Sequence, residues 1–168
     1  MSDSNKAADL KEKLKQALNS TFKVISDDFL LDDKLKKNDN SKKVDHFKLD
    51  SLNSKNDFIK ARADSHSSAL KRKFSNEEIY NKNQPLNSSC KSLYYIAEKI
   101  RYETLGSKML KGIEKNFKDN YNQMIFSKRK DQLKNKEDVM VAEAFELYML
   151  KKFHNIKLDP LTTKMLNF

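Results

Sequence analysis

The chain is expected to fold as a mainly α protein: a single helical domain, with allowance for one small two-stranded β element near the N-terminus. Three observations predict this. Charged residues make up 35% of the sequence, while two glycines, two prolines and no tryptophan are spread over 168 residues; sheets and tight turns draw on glycine much more heavily. Apolar residues recur at helical spacing through most of the chain. The length suits one core, able to bury about two thirds of the unfolded surface.

The organisation divides at about residue 55. Residues 1–55 are read as an N-terminal helix, short strands and a mobile charged loop, and 56–168 as the helical core. Ala7, Leu10, Leu14, Ala17 and Leu18 follow the spacing of a first amphipathic helix. Thr21 to Ile25 is short and β-branched and reads as a strand, with Val44 to Leu49 as its one candidate partner. Between them, Asp32 to Lys43 is almost free of apolar residues and cannot offset the entropy of ordering, so a mobile loop is expected. Asn56, Phe58, Ile59, Arg62, Ala69, Leu70 and Phe74 predict the next helix. Ser75 and Glu78 then have the spacing of a capping box for a short helix ending before Pro85.

The stretch around which the rest is organised is 93–121, which holds both glycines. Leu93, Ile96, Ala97, Ile100 and Thr104 form one stripe and Leu110, Ile113, Phe117 and Tyr121 another, predicting two amphipathic helices joined near Gly106. Asn87, Ser88 or Ser89 can cap the first of them, and Gly106 can close it by taking φ > 0. Gly112 falls inside the second, where close backbone packing or binding is the expected compensation for its helix penalty, packing being the first choice. Lys128-Arg129-Lys130 forms a basic knot, and Asn135-Lys-Glu-Asp is a helix start. Val139 to Phe153 is apolar on most sides apart from Glu143 and Glu146 and should lie centrally in the core. Asp159-Pro160 has the cap and first-turn chemistry of a last short helix.

Several function classes are disfavoured. With two glycines and no Gly-x-x-x-x-Gly-Lys-Ser/Thr there is no loop of backbone amides to cradle a nucleotide, so the chain is not expected to be an ATPase or to bind a cofactor of its own. His46, His66 and His154 lack metal-ligand spacing and are read as surface or half-buried residues. Cys90 is the one cysteine, which fits a reducing cytoplasm. No signal peptide is legible, and the longest apolar run, Val139 to Phe145, is far too short to span a membrane. The net charge of +10 is compatible with nucleic acid, an acidic protein surface or an anionic membrane, but a lysine excess more often marks a solvated face, and that reading takes the larger share. Arg62, Arg72, Arg101 and Arg129 are the sole arginines among 34 basic residues, and arginine is the better reader of phosphates and guanine edges, so nucleic acid is a minority reading.

Periodicity asks only for apolar positions, yet Glu98, Arg101, Glu103, Gly106, Met109, Gly112 and Asn116 make a polar and glycine array laid over the stripes. Written Ala-Glu-x-x-Arg-x-Glu-x-x-Gly-x-x-Met-x-x-Gly-x-x-x-Asn, it resembles the signature of the cobaltochelatase CobT family in its N-terminal region. Upstream, Ala61-Arg62-Ala63-Asp64 followed by Ala69-Leu70 and Pro85 is similar to that family's Arg-Gly-x-Ala-Asp-x-x-Ala-Leu segment, so the resemblance covers roughly 58–160. Ser75 and Tyr80 stand where the family has histidines, and Ala63 near its first glycine, so no imidazole or metal chemistry is carried into that segment. Asp64-Ser65-His66-Ser67 does not match the family's C-terminal metal loop, because His66 occupies the position of a required serine. A stand-alone short form or a fragment of the N-terminal region is expected.

The resemblance implies a non-catalytic subunit of an ATP-dependent cobaltochelatase. Such a subunit assists an AAA+ ATPase, with the large chelatase subunit as a further partner, in inserting cobalt into a corrin precursor. ATP, Mg and cobalt are then expected at the level of the complex. Glu98, Arg101, Glu103, Asn116, Arg62 and Asp64 are the candidate polar or partner-facing residues, with Gly106 and Gly112 as structural glycines. The polar set has two readings: an internal network in which Arg101 bonds a neighbouring acid and Asn116 satisfies backbone near a Gly106 turn, or a groove for the ATPase or a corrinoid carboxylate. Glu98 and Glu103 are five apart, on different helix faces, which argues against a paired-carboxylate catalytic site. The competing reading is a small basic helical module that docks on nucleic acid, or on an AAA+ ATPase for another remodelling task.

Overall fold

A computed structural model describes residues 3–27, 54–126 and 138–166. Among these residues the regular structure is helical throughout: α1 (Asp3–Ser26), α2 (Lys55–Phe74), α3 (Glu77–Lys82), α4 (Ser88–Met109), α5 (Lys111–Phe126), α6 (Val141–Phe153) and α7 (Pro160–Lys164). The chain forms two compact units, Met1–Lys73 and Phe74–Phe168. The loop expected at 32–43, the partner strand at 44–49, the basic knot at 128–130 and the start of the Asn135 motif lie outside the described residues.

In the first unit, α1 corrects the strand expected at Thr21 to Ile25, since those residues form its last turns. The short β-branched run is overridden because Leu18, Phe22 and Ile25 lie at i, i+4 and i+7 and are all buried. Extending a helix adds a hydrogen bond per residue, whereas starting a lone strand has no such return. The Ser20 and Thr21 hydroxyls donate back to the carbonyls of Gln16 and Ala17 one turn earlier, so both are satisfied within the helix. The apolar face therefore sits in the C-terminal half of α1, while Leu10 is largely exposed. Asp27 ends the helix with φ 56° and its carboxylate pairs with Lys73. On α2, Ala63, Ser65, His66, Ala69 and Leu70 are buried. Its first turn is set by Ser54, whose Oγ accepts from the Asp57 N–H while the Asp57 carboxylate accepts from the Ser54 N–H at 2.9 Å.

In the second unit, α4 is the axis, packing along both α5 and α6. Asn87 is the cap that starts it, its side chain accepting from the Ser89 and Cys90 N–H groups at 2.9 and 3.2 Å. The predicted close at Gly106 does not occur. Gly106 stays helical and buried, no glycine has positive φ among the described residues, and the break falls at Leu110, which is extended at φ −136°, ψ 108°. Gly106 is the last buried residue of α4, and its carbonyl accepts from the Leu110 N–H at 3.0 Å, so the helix completes one more turn beyond it. Gly112 is corrected as well: it lies exposed in the first turn of α5, and a Cβ built there meets nothing within 4 Å, so no backbone approaches it within the fold.

α5 buries Ile113, Phe117 and Tyr121 of the stripe read from the sequence and adds Ile125, while Leu110, the first member of that stripe, is 48% exposed; α6 buries Leu147 and Leu150. Asn155, left-handed at φ 53°, then turns the chain so that Ile156 is buried again; asparagine is among the residues that tolerate this conformation. Asp159 and Pro160 act as expected, the Asp159 carboxylate accepting from the Thr162 N–H at 2.8 Å with proline in the first turn of α7. No helix among the described residues is long and apolar enough to cross a membrane.

Candidate functional site

The polar array read on α4 resolves into two separate networks. The outer one is built on Glu98. Arg101, one turn further along, reaches back with Nε donating to Oε2 at 2.7 Å and Nη2 donating to Oε1 at 2.8 Å, a two-point fork that matches guanidinium to carboxylate. The same Nη2 donates to the carbonyl of Phe74 at 2.7 Å, capping the last residue of α2. Ser75 Oγ donates to Glu98 Oε1 at 2.6 Å. This corrects the expected Ser75–Glu78 capping box: Asn76 caps α3, accepting from the Ile79 N–H at 3.0 Å, and Ser75, one residue upstream of the cap, turns its hydroxyl to Glu98. The Glu98 hydrogen bond first, and then the carboxylate's charge, hold the Arg101 guanidinium above its ordinary pKa against burial.

Arg101→Ala is expected to destabilise the fold by about 1–2 kcal/mol, near the low end for a charged network because the guanidinium is half exposed and screened by water. Arg101→Lys should recover no more than half of the loss, since one ammonium cannot make the fork. Urea unfolding of the two variants reads both values; an alanine variant as stable as the parent would mean that the network does not hold the fold.

The inner network faces the opposite way. Glu103 is 1% exposed, on the face of α4 that continues from Ile100, and its Oε2 accepts from the Tyr121 hydroxyl at 2.5 Å. Burial, followed by the Glu103 charge, pushes the Tyr121 phenol well above its usual range, so the hydroxyl remains the donor. Lys99 Nζ lies over the Tyr121 ring, 5.5 Å from its centroid. His154, carried in by the end of α6, is 2% exposed, with its ring 5.5 Å from that of Tyr121 and 6.0 Å, edge-on, from that of Phe117. Its Nε2 is 3.8 Å from Glu103 Oε2, but desolvation by burial, and then Lys118, lower its pKa to about 4. The imidazole is therefore neutral near pH 7 and the contact is not an ion pair. Neither ring nitrogen of His154 has a hydrogen-bond partner among the described residues.

The surface reading of the histidines is thereby corrected for His154 and for His66, which is 4% exposed and also lowered to about 4 by burial and then by Arg62; His46 lies outside the described residues. Glu98 and Glu103 have different partners on different faces, as their spacing implied. Asn116 is half-buried on α5, and the turn at Gly106 that it was to support is absent. Arg62 and Asp64 belong to the first unit, where Arg62 is exposed and Asp64 accepts from Lys60 Nζ at 3.0 Å. Ser75, Tyr121 and His154 were missed as network members. One signal existed for Tyr121: Glu103 stands three residues after Ile100 in an apolar stripe, and a carboxylate there demands a donor from the facing helix. Ser75 bonds Glu98, and Tyr80 stacks on Tyr94 at 4.9 Å. Among the described residues no group of three or more His, Cys, Asp or Glu could hold a metal ion.

The architecture is that of a small helical protein whose central polar groups bind one another across helices. The chain belongs to the cobalamin biosynthesis protein CobT family, whose model matches residues 8–168. The match takes in α1, upstream of the resemblance read at 58–160. Neither a curated protein nor a solved structure matches the chain.

Proposed function

We propose that the chain is a non-catalytic subunit of an ATP-dependent cobaltochelatase, assisting an AAA+ ATPase in inserting cobalt into a corrin precursor in the cytoplasm. The observation that carries this reading is the family match along 8–168. The geometry is compatible with a supporting role: Glu98 and Glu103 are each committed to internal hydrogen bonds and are not poised as an acid–base pair. In this reading the ATPase holds ATP and Mg, the large chelatase subunit is a further partner, and cobalt is the cargo of the assembly.

The chain should co-purify with the AAA+ ATPase of its own source at physiological salt, because a specific interface keeps an apolar, desolvated centre that salt screens little. Binding to DNA through lysines should instead weaken steeply with salt, in proportion to the phosphates neutralised. Tight, salt-resistant DNA binding with no ATPase retained would replace the chelatase reading with that of a nucleic-acid module.

A further inference from the structure

The corner between α4 and α5 breaks the usual chemistry of a helix junction. Such junctions favour glycine or a small polar residue, yet here the turn is made by Leu110, extended and 48% exposed, beside Met109 at 53%. Lys108 and Lys111 flank the pair, and Lys115 follows one turn into α5, all three exposed. None of the three forms a salt bridge with a described residue, whereas Lys13, Lys60 and Lys118 are each paired with a carboxylate four residues away. The nearest acid in sequence, Glu114, is taken by Lys118 at 2.6 Å. Gly112, between the lysines, gives up a side chain that the fold has room for. A position where local rules fail without gain inside the fold points outward, to function.

We infer that this corner is a docking surface for an acidic protein segment carrying apolar anchor side chains. Its anchors would cover Met109 and Leu110, its carboxylates would meet Lys108, Lys111 and Lys115, and its backbone would pass close over Gly112. Charge complementarity selects the occupant. A second copy docking by a two-fold axis would bring the same three lysines against themselves. Single-stranded nucleic acid is read mainly by aromatic platforms and arginine, which the corner lacks, and it would leave the apolar pair uncovered. The inference does not depend on the chelatase reading.

The test is fluorescence anisotropy of the full chain at physiological salt. The probe is a fluorescein-labelled glutamate-rich helical peptide with leucine and phenylalanine at every third or fourth position. Controls are the same peptide with serine at those positions and a single-stranded oligonucleotide. The anchored peptide should bind, and Met109→Ser with Leu110→Ser should weaken it by at least about tenfold, the size expected for central anchors. Lys108→Glu with Lys111→Glu should abolish binding. Gly112→Ala should weaken binding while the melting temperature holds or rises, a combination that no loss of folding can mimic. Equal binding of the serine peptide, tighter binding of the oligonucleotide, indifference to the Met109 and Leu110 changes, self-association through the corner, or no binding of the anchored peptide would each overturn the inference.

Discussion

Tyr121→Ala is expected to cost about 3–5 kcal/mol, a large part of the roughly 5–15 kcal/mol that holds a domain of this size together. The ring is 1% exposed and fills the space bounded by Phe117, His154 and the Lys99 ammonium, so its removal leaves a cavity that three separate helix segments would have to close. It also removes a hydroxyl donor from the buried Glu103 carboxylate. Tyr121→Phe isolates that second effect, because it keeps the ring and deletes only the donor; it should cost about 1–3 kcal/mol. Urea unfolding at neutral pH measures both. If phenylalanine costs as much as alanine, the hydrogen bond dominates and the packing argument is wrong.

The second large effect is on acid stability. His154 is buried neutral, with its pKa lowered from 6.5 to about 4, which corresponds to roughly 3 kcal/mol of preference for the uncharged ring. The groups facing it are Glu103 and Lys99 on α4 and Glu114, Lys118 and Tyr121 on α5. Because the folded pKa lies below the unfolded one, the unfolded chain binds the proton first as pH falls. Stability is thus at full value above about pH 6.5 and declines through the window down to about pH 4, where the folded ring also charges. His66 acts in the same direction in the first unit, its pKa also lowered to about 4. Unfolding measured between pH 7.5 and 4.5 should show this decline before most carboxylates titrate, a pH range set by ordinary carboxylate values. His154→Leu should remain within about 1 kcal/mol of the parent at pH 7, since neither ring nitrogen has a partner to lose, and should remove part of the slope. A slope unchanged by that substitution would assign the acid sensitivity elsewhere.

What the sequence by itself determined is local. The 3.6-residue stripes placed α2, α4 and α5, and the apolar run from Val139 placed α6; the cap candidates Asn87, Ser88 and Ser89 and the pair Asp159-Pro160 marked the starts of α4 and α7; and Ile113, Phe117 and Tyr121 lie buried on a single face of α5. These features depend on residues within a turn or two of one another, and helix hydrogen bonds and caps have that range. The array from Glu98 to Asn116 was legible as an excess over periodicity, and with it the family.

Tertiary structure decided which partner each polar group takes. Ser75 meets Glu98 across 23 positions, Tyr121 meets Glu103 across 18, and His154 reaches Glu103 from the far end of another helix. Local rules gave Ser75 a capping role and Gly106 a turn; in the fold the Ser75 hydroxyl donates to Glu98, and Gly106 is buried inside a helix that runs on to Met109. Thr21 to Ile25 went the same way, because burial of Phe22 and Ile25 outweighs a β preference worth well under about 1 kcal/mol per residue. Desolvation strengthens an interaction only once neighbours have excluded water, and which neighbours do so is a property of the packed chain, beyond the reach of any window of its sequence.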